Sequence, residues 1–242
     1  MKRGILIVGL CLLFTACGNS SREQFPINIS VKKNSFSWRN SCVTFQAGTD
    51  MPAFRAWVTG DKKASKADVY GLGFGASAPM GIEGLYYPSG YSSAELLMRT
   101  PEMATLVIHY PEWEIQDVLV QLDKQITVYR DCPVIQVIDF YSGGFDALNV
   151  AAGLPLKGYK VNTGEKSITV TATDGTTASI YMPEADETRT EGPDGHAVIR
   201  HMIRRGEPLY YYIGVGRESP ERLLQIADSL SAGRNREPLI IR

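Results

Sequence analysis

The chain has 242 residues, of which 44% are hydrophobic and 21% charged, and its formal net charge is −1. That balance carries no electrostatic footprint for nucleic acid, which is excluded as a partner. The length fits one large domain, since all-β domains run to about 200–250 residues, and it buries a sizeable core without covalent staples.

Lys2 and Arg3 open the chain, Gly4 to Phe14 is an apolar run, and Thr15-Ala16-Cys17 follows. This reads as a secretory signal over residues 1–16. It is too short for a spanning helix, which needs about 20 apolar residues. Small residues directly before a cysteine resemble the bacterial lipobox, with Phe14 where a leucine is usual and Leu13 one position earlier. That resemblance implies cleavage before Cys17, acylation of Cys17, and a lipid anchor in the cell envelope, at the periplasmic side or the outer-membrane surface. Each buried methylene of such an anchor contributes about 0.8 kcal/mol. Residues 17–25 form a short polar tether to a domain expected over 26–242. Cys11 leaves with the signal, so Cys42 and Cys132 remain beside Cys17. An oxidising envelope permits a disulfide between them, and two half-buried free thiols are the alternative. There is no C-x-x-C pair, and neither a metal nor a cofactor is expected.

From Ile27 the pattern is β. Ile27, Ile29 and Val31 alternate with polar residues, as do Val43, Phe45 and Ala47, and Phe54 to Val58 reads as a further strand turned by Gly60-Asp61-Lys62. After a glycine-rich stretch, strands are expected at Glu95 to Met98, Ala104 to Tyr110, within Gln116 to Asp123, at Gln125 to Tyr129, and at Val134 to Tyr141 across a turn at residues 130–133. Phe145 to Ala151 begins another. Ser167 to Thr171 and Ala178 to Met182 flank Asp174-Gly175, a strong hairpin signal. Thr188 to Gly195 reads as a mobile loop, and His196 to Ile203, Leu209 to Val215 and Pro238 to Ile241 as late strands. One segment reads as a helix: Ser219 is a suitable N-cap, Pro220 a first helical residue and Gly233 a C-cap, and Leu223, Ile226, Ala227 and Leu230 share a face. About a dozen short strands and one helix predict an all-β sandwich or barrel.

The stretch Asp68 to Gly90 is where chemistry is expected. It holds Gly71-Leu72-Gly73-Phe74-Gly75, Tyr86 and Tyr87, with Tyr91 just beyond, and Glu83 is nearly its only charge. Long glycine-rich loops on sheet proteins carry function. The glycine spacing is wrong for a dinucleotide loop and no helix follows. Gly90 to Ala94 lacks the second glycine of a nucleophile elbow. Glu83 is the candidate catalytic acid or base. Tyr86, Tyr87 and Tyr91 are candidate ligand-binding platforms, because flat rings with polar edges suit the faces of sugars. Trp57 and Trp113 border the loop; packing is the expected role of tryptophans, with Trp113 kept as a candidate platform. Glu95, Glu112 and Glu114 read as solvated charges. His109, His196 and His201 read as structural or solvated, least firmly for His109, and the five-residue spacing of His196 and His201 puts them on opposite strand faces.

Four pieces in order carry a resemblance: Phe36-Ser37-Trp38-Arg39-Asn40 leading into Cys42-Val43-Thr44-Phe45; Ile82-Glu83-Gly84-Leu85-Tyr86-Tyr87 with Gly90; Tyr110-Pro111-Glu112-Trp113; and Pro208-Leu209-Tyr210-Tyr211-Tyr212 followed by Gly214 and Gly216. Together they resemble the domain-of-unknown-function family four-eight-six-one of the Bacteroidota, often found beside polysaccharide-degrading enzymes. The resemblance implies a large β-sandwich of the galactose-mutarotase-like (supersandwich) type and a carbohydrate ligand. The protein would bind or process polysaccharide fragments, as a uronic-sugar lyase or hydrolase or as a non-catalytic accessory lipoprotein binding sugars or a partner. The sequence departs from the family at Ala76-Ser77-Ala78-Pro79-Met80-Gly81, where family members tend to carry histidines and an acidic residue, and at Ile82, which replaces a glycine. Glu83 matches the family's glutamate, but its proton-transfer neighbours are missing.

Overall fold

A computed structural model describes residues 27–32, 35–48, 53–61 and 71–233. The expected signal, Cys17 and the expected tether, the start of the glycine-rich stretch and the strand expected at 238–241 lie outside the described residues.

Alternating apolar residues such as Val43, Phe45 and Ala47 bury one face of a strand, and the described strands form three antiparallel sheets. The first is the meander β1 (Asn28–Lys32), β2 (Ser35–Arg39), β3 (Val43–Gly48) and β4 (Phe54–Val58). The second, of five strands, has the order β15-β16-β11-β5-β6, with β5 at Ser77–Gly81, β6 at Gly84–Leu85, β11 at Ala147–Pro155, β15 at Glu187–Arg189 and β16 at His196–Arg204. The third, of eight strands, has the order β12-β13-β14-β17-β10-β9-β8-β7. Its members are β7 (Ser93–Arg99), β8 (Met103–Ile115), β9 (Val118–Tyr129), β10 (Val134–Gly143), β12 (Tyr159–Gly164), β13 (Ser167–Ala172), β14 (Thr177–Tyr181) and β17 (Leu209–Gly216).

The eight-stranded sheet is one layer of a sandwich, and the two smaller sheets lie side by side as the other. A short segment, residues 71–76, joins them: the Phe74 N–H donates to Phe54 O and the Gly75 N–H to Gly153 O, each at 2.9 Å. Across the layers β11 packs on β13 and β14, and β4 on β17. The core between them draws on all three sheets. In it Trp38 stacks on Phe45 (5.5 Å between centroids, 7° between planes) and meets the edge of Phe54 (5.4 Å, 88°), geometries that add about 0.5–1.5 kcal/mol per pair beyond burial.

The helix α1 spans Pro220–Ala232, capped as its sequence predicts: the Ser219 side chain accepts from the Arg222 N–H at 3.3 Å. Leu223 and Ala227 pack with Val134 and Tyr212 on the outer face of the eight-stranded sheet. So α1 covers that face over β14, β17 and β10. Among the described residues no helix is long and apolar enough to cross a membrane.

Several expectations are corrected. The strands expected within 116–123 and at 125–129 join in one strand, β9, because Lys124 sits at an inward position and continues the ladder, while Gln116 and Asp117 form the turn from β8. β2 and β12 add strands to those expected. The stretch expected to be a mobile loop, 188–195, holds part of β15 and a 3-10 turn at Pro193–Gly195. The stretch expected to be a long functional loop contains two strands, β5 and β6, which pair with each other while β5 also pairs with β11.

Candidate functional site

The glycine-rich stretch is structural where it is described. Gly75 has φ +93, and a Cβ there would lie 2.6 Å from Ile213 Cδ1; Gly71 has φ +60, and a Cβ there would lie 2.8 Å from the Tyr87 hydroxyl. These glycines let the joining segment approach the opposite layer and the neighbouring strands closely.

The predicted site residues do not assemble around Glu83. Ile82 and Glu83 form the exposed turn between β5 and β6, with Ile82 97% exposed. Tyr86 lies across Gly81, beside Gln116. Tyr87 donates to Asp194 Oδ2 at 2.7 Å. Tyr91 presents an edge to Phe36 at 6.4 Å, and Trp113 packs edge-on to Tyr141 at 6.4 Å. The Tyr91 hydroxyl and Trp113 Nε1 are buried without a hydrogen-bond partner among the described residues, and burial pushes the Tyr91 phenol up. The reason for the dispersal is the β5–β6 hairpin: it carries Glu83 out to solvent while the flanking aromatics turn back onto the core.

Inside the sandwich is a charged cluster that alternation alone does not announce. Lys124 and Asp139 stand directly opposite on β9 and β10, both on the inward face. The ammonium donates to Asp139 Oδ1 (2.5 Å), Tyr211 OH (2.9 Å) and Ser77 Oγ (3.1 Å). Ser77 in turn donates to Asp139 Oδ2 and lies 2.9 Å from Tyr141 OH. The three protons of the ammonium and both carboxylate oxygens are thus used, which is what a buried pair requires. Burial lowers the Lys124 pKa, and the Asp139 charge opposes that shift. Burial, reinforced by Asp139, drives the Tyr141 and Tyr211 phenols well above their ordinary range. Every member is shut off from solvent. The cluster therefore ties β5 of one layer to β9, β10 and β17 of the other.

The exposed chemistry lies on the opposite face of the same strands. Cross-strand register aligns Ser93, His109, Asp123 and Phe140 in one row over β7, β8, β9 and β10. His109 Nδ1 is 2.9 Å from Asp123 Oδ1, and Nε2 is 3.5 Å from Glu95 Oε1. The His109 side chain is 30% exposed. The carboxylates take opposite ring nitrogens, so the three groups do not converge on one point. Among the described residues no group of three or more His, Cys, Asp or Glu is arranged to hold a metal ion.

The row ends at a cleft of about 520 Å3 lined by residues 140–143 and 205–207. It opens because the β17 ladder stops at the Asp139–Leu209 pair while β10 runs on to Gly143. Arg205 is fixed at its rim, donating from Nε to Phe145 O and from Nη2 to Asp146 Oδ1, each at 2.9 Å. The cleft therefore offers one aromatic ring, a strand edge and a held guanidinium, and the His109–Asp123 pair lies along the same row, with His109 two strands from Phe140.

No family model matches the chain, and no curated protein matches it. Among solved structures it is similar to heparan sulfate lyase HepC from Pedobacter heparinus, at 11% identity and a TM-score of 0.48, covering 81% of this chain and 38% of the lyase. It is similar to the GH36 alpha-galactosidase AgaB from Geobacillus stearothermophilus, at 10% identity and 0.48, covering 79% and 41%. It is also similar to the periplasmic domain of YidC from Thermotoga maritima, at 10% identity and 0.45, covering 85% and 96%. The chain thus spans less than half of either enzyme. At these scores the likenesses carry no argument about chemistry.

Proposed function

We propose that the protein is a lipid-anchored envelope protein that binds polysaccharide fragments on the part of the eight-stranded sheet's outer face that α1 leaves uncovered. The observation that carries the reading is the continuity of the Ser93–His109–Asp123–Phe140 row with the cleft of about 520 Å3. A sugar needs a few fixed hydrogen-bonding groups and an apolar face, and this surface offers both. The four sequence pieces that resemble family four-eight-six-one support a glycan ligand, and the signal-like N-terminus supports anchoring through Cys17.

A catalytic second reading is favoured by the His109–Asp123 contact of 2.9 Å, which orients an imidazole as proton-transfer sites require. On this reading His109, not the isolated Glu83, moves the proton.

The test is calorimetry on the Cys17→Ser protein with pectic, algal and host uronic-acid glycans, with chromatography of the same samples for shortened products. Binding that weakens at least tenfold in Phe140→Ala and is unchanged in Glu83→Gln is expected. Absence of binding to every glycan would refute the reading. Products that disappear in His109→Ala would establish the catalytic form. Lipid-precursor label that is lost in Cys17→Ser is expected of the anchor, and retained label would exclude it.

A further inference from the structure

Two cysteines about which spacing is silent lie in turns that the fold joins. Cys42 follows β2 in the turn before β3, and Cys132 lies in the turn between β9 and β10. One side chain holds both turns: Asn40 Oδ1 accepts the Cys42 N–H at 2.8 Å, and Asn40 Nδ2 donates to Cys132 O at 2.7 Å and to Tyr129 O at 2.6 Å. One residue along each turn the contact repeats, with Ser41 Oγ donating to Asp131 Oδ1 at 2.8 Å. Summing the two hydrogen bonds and the width of a carboxamide puts Cys42 N and Cys132 O at most about 8 Å apart, which holds the two Cα atoms within about 12 Å. A disulfide needs Cα atoms roughly 4.4–6.8 Å apart. Both thiols are half-buried and free in this structure.

We infer that Cys42 and Cys132 are a cross-linking site, closed to an intramolecular disulfide by exchange with an external disulfide. In the first step one cysteine thiolate attacks the external disulfide, forms a mixed disulfide and releases one thiolate. In the second the other cysteine gives up its proton and attacks the protein sulfur, forming the Cys42–Cys132 bond and expelling the second thiolate. Two protons and two electrons leave the protein, and the external disulfide is reduced to two thiols.

Cys132 packs against the α1 cluster, and closing the bond requires the two turns to hold their Cα atoms within the disulfide range. Burial pushes the Cys132 thiol up, which disfavours it as the first to attack. The bond would fasten the four-stranded sheet to the end of the eight-stranded one across 90 positions of sequence. This inference does not rest on the carbohydrate reading.

The test uses the full chain carrying Cys11→Ser and Cys17→Ser, exposed to oxidised glutathione. Titratable thiols should fall from two to none, with a mass loss of about 2 Da, a tryptic species joining the Cys42 and Cys132 peptides, and a Tm rise of roughly 5–10 °C that dithiothreitol reverses. Two persistent thiols, two separate glutathione adducts, or a link between chains would overturn it. The mass map is read on the unmutated pair, so it does not depend on whether Cys42→Ser or Cys132→Ser folds; where they fold, each should end as a single glutathione adduct.

Discussion

Lys124→Met keeps the length of the side chain and removes its charge. Asp139, 0% exposed, then loses the donor to Oδ1 and keeps only Ser77, and Tyr211 loses its donor. Removing one partner of a buried pair costs about 3–5 kcal/mol, because the remaining charge is left uncompensated. Against a total stability of about 5–15 kcal/mol this is a large loss. For a domain of this size each kcal/mol moves Tm by about 2–4 °C, so Tm should fall by about 6–20 °C. The pair's net worth is a separate quantity, since water would solvate both charges in the unfolded chain. Lys124→Met/Asp139→Asn removes both charges at nearly constant shape and keeps an acceptor for Ser77, so it should lie within about 2 kcal/mol of the parent. Urea unfolding, comparing midpoints at constant m, completes the cycle with Asp139→Asn alone. A Lys124→Met loss below about 1 kcal/mol, or a double variant as unstable as the two single losses added, would refute the reasoning.

Alkali should also unfold the protein. Tyr110, Tyr141 and Tyr211 keep their protons far above the usual range, first through burial and then through Asp139. In the unfolded chain they ionise near pH 10. Above about pH 10 the native state therefore holds protons that the unfolded state has lost, and stability falls by about 1.4 kcal/mol per pH unit for each tyrosine, about 4 for the three. Lys124, lowered by burial, acts in the opposite sense by at most about 1.4 kcal/mol per unit and only up to about pH 10.4. Urea midpoints that stay level from about pH 10 to 11.5 would contradict this. At the joining segment, Gly75→Ala should cost about 1–3 kcal/mol for overpacking on Ile213 in addition to left-handed strain, whereas Gly60→Ala, with φ +98 and nothing within 4 Å, should show strain alone; equal losses in thermal melts would remove the packing argument. Ser219→Ala should destabilise by about 0.5–2 kcal/mol through loss of the α1 cap, measured by the same melts, and no change would mean that packing alone holds the helix.

The local rules of the chain were legible wherever neighbours in sequence set the outcome. The strands at Val43 to Ala47 and Val134 to Tyr141 follow from alternation, the Asp174-Gly175 hairpin from its turn residues, and α1 from a serine, a proline and a glycine at the right positions. The all-β class follows from their sum. Tertiary structure decided what the glycine-rich stretch does. Its glycines serve close packing on Ile213 and Tyr87, and the β5–β6 hairpin separates Glu83 from the aromatics that stand near it in sequence. Tertiary structure also chose the charged partners. His109 and Asp123 lie 14 residues apart and Lys124 and Asp139 15 apart, and the former pair faces outward while the latter is enclosed. Periodicity gives the face of a residue within its own strand, but its partner is set by the register between strands, and register is fixed by the packing of the whole sandwich.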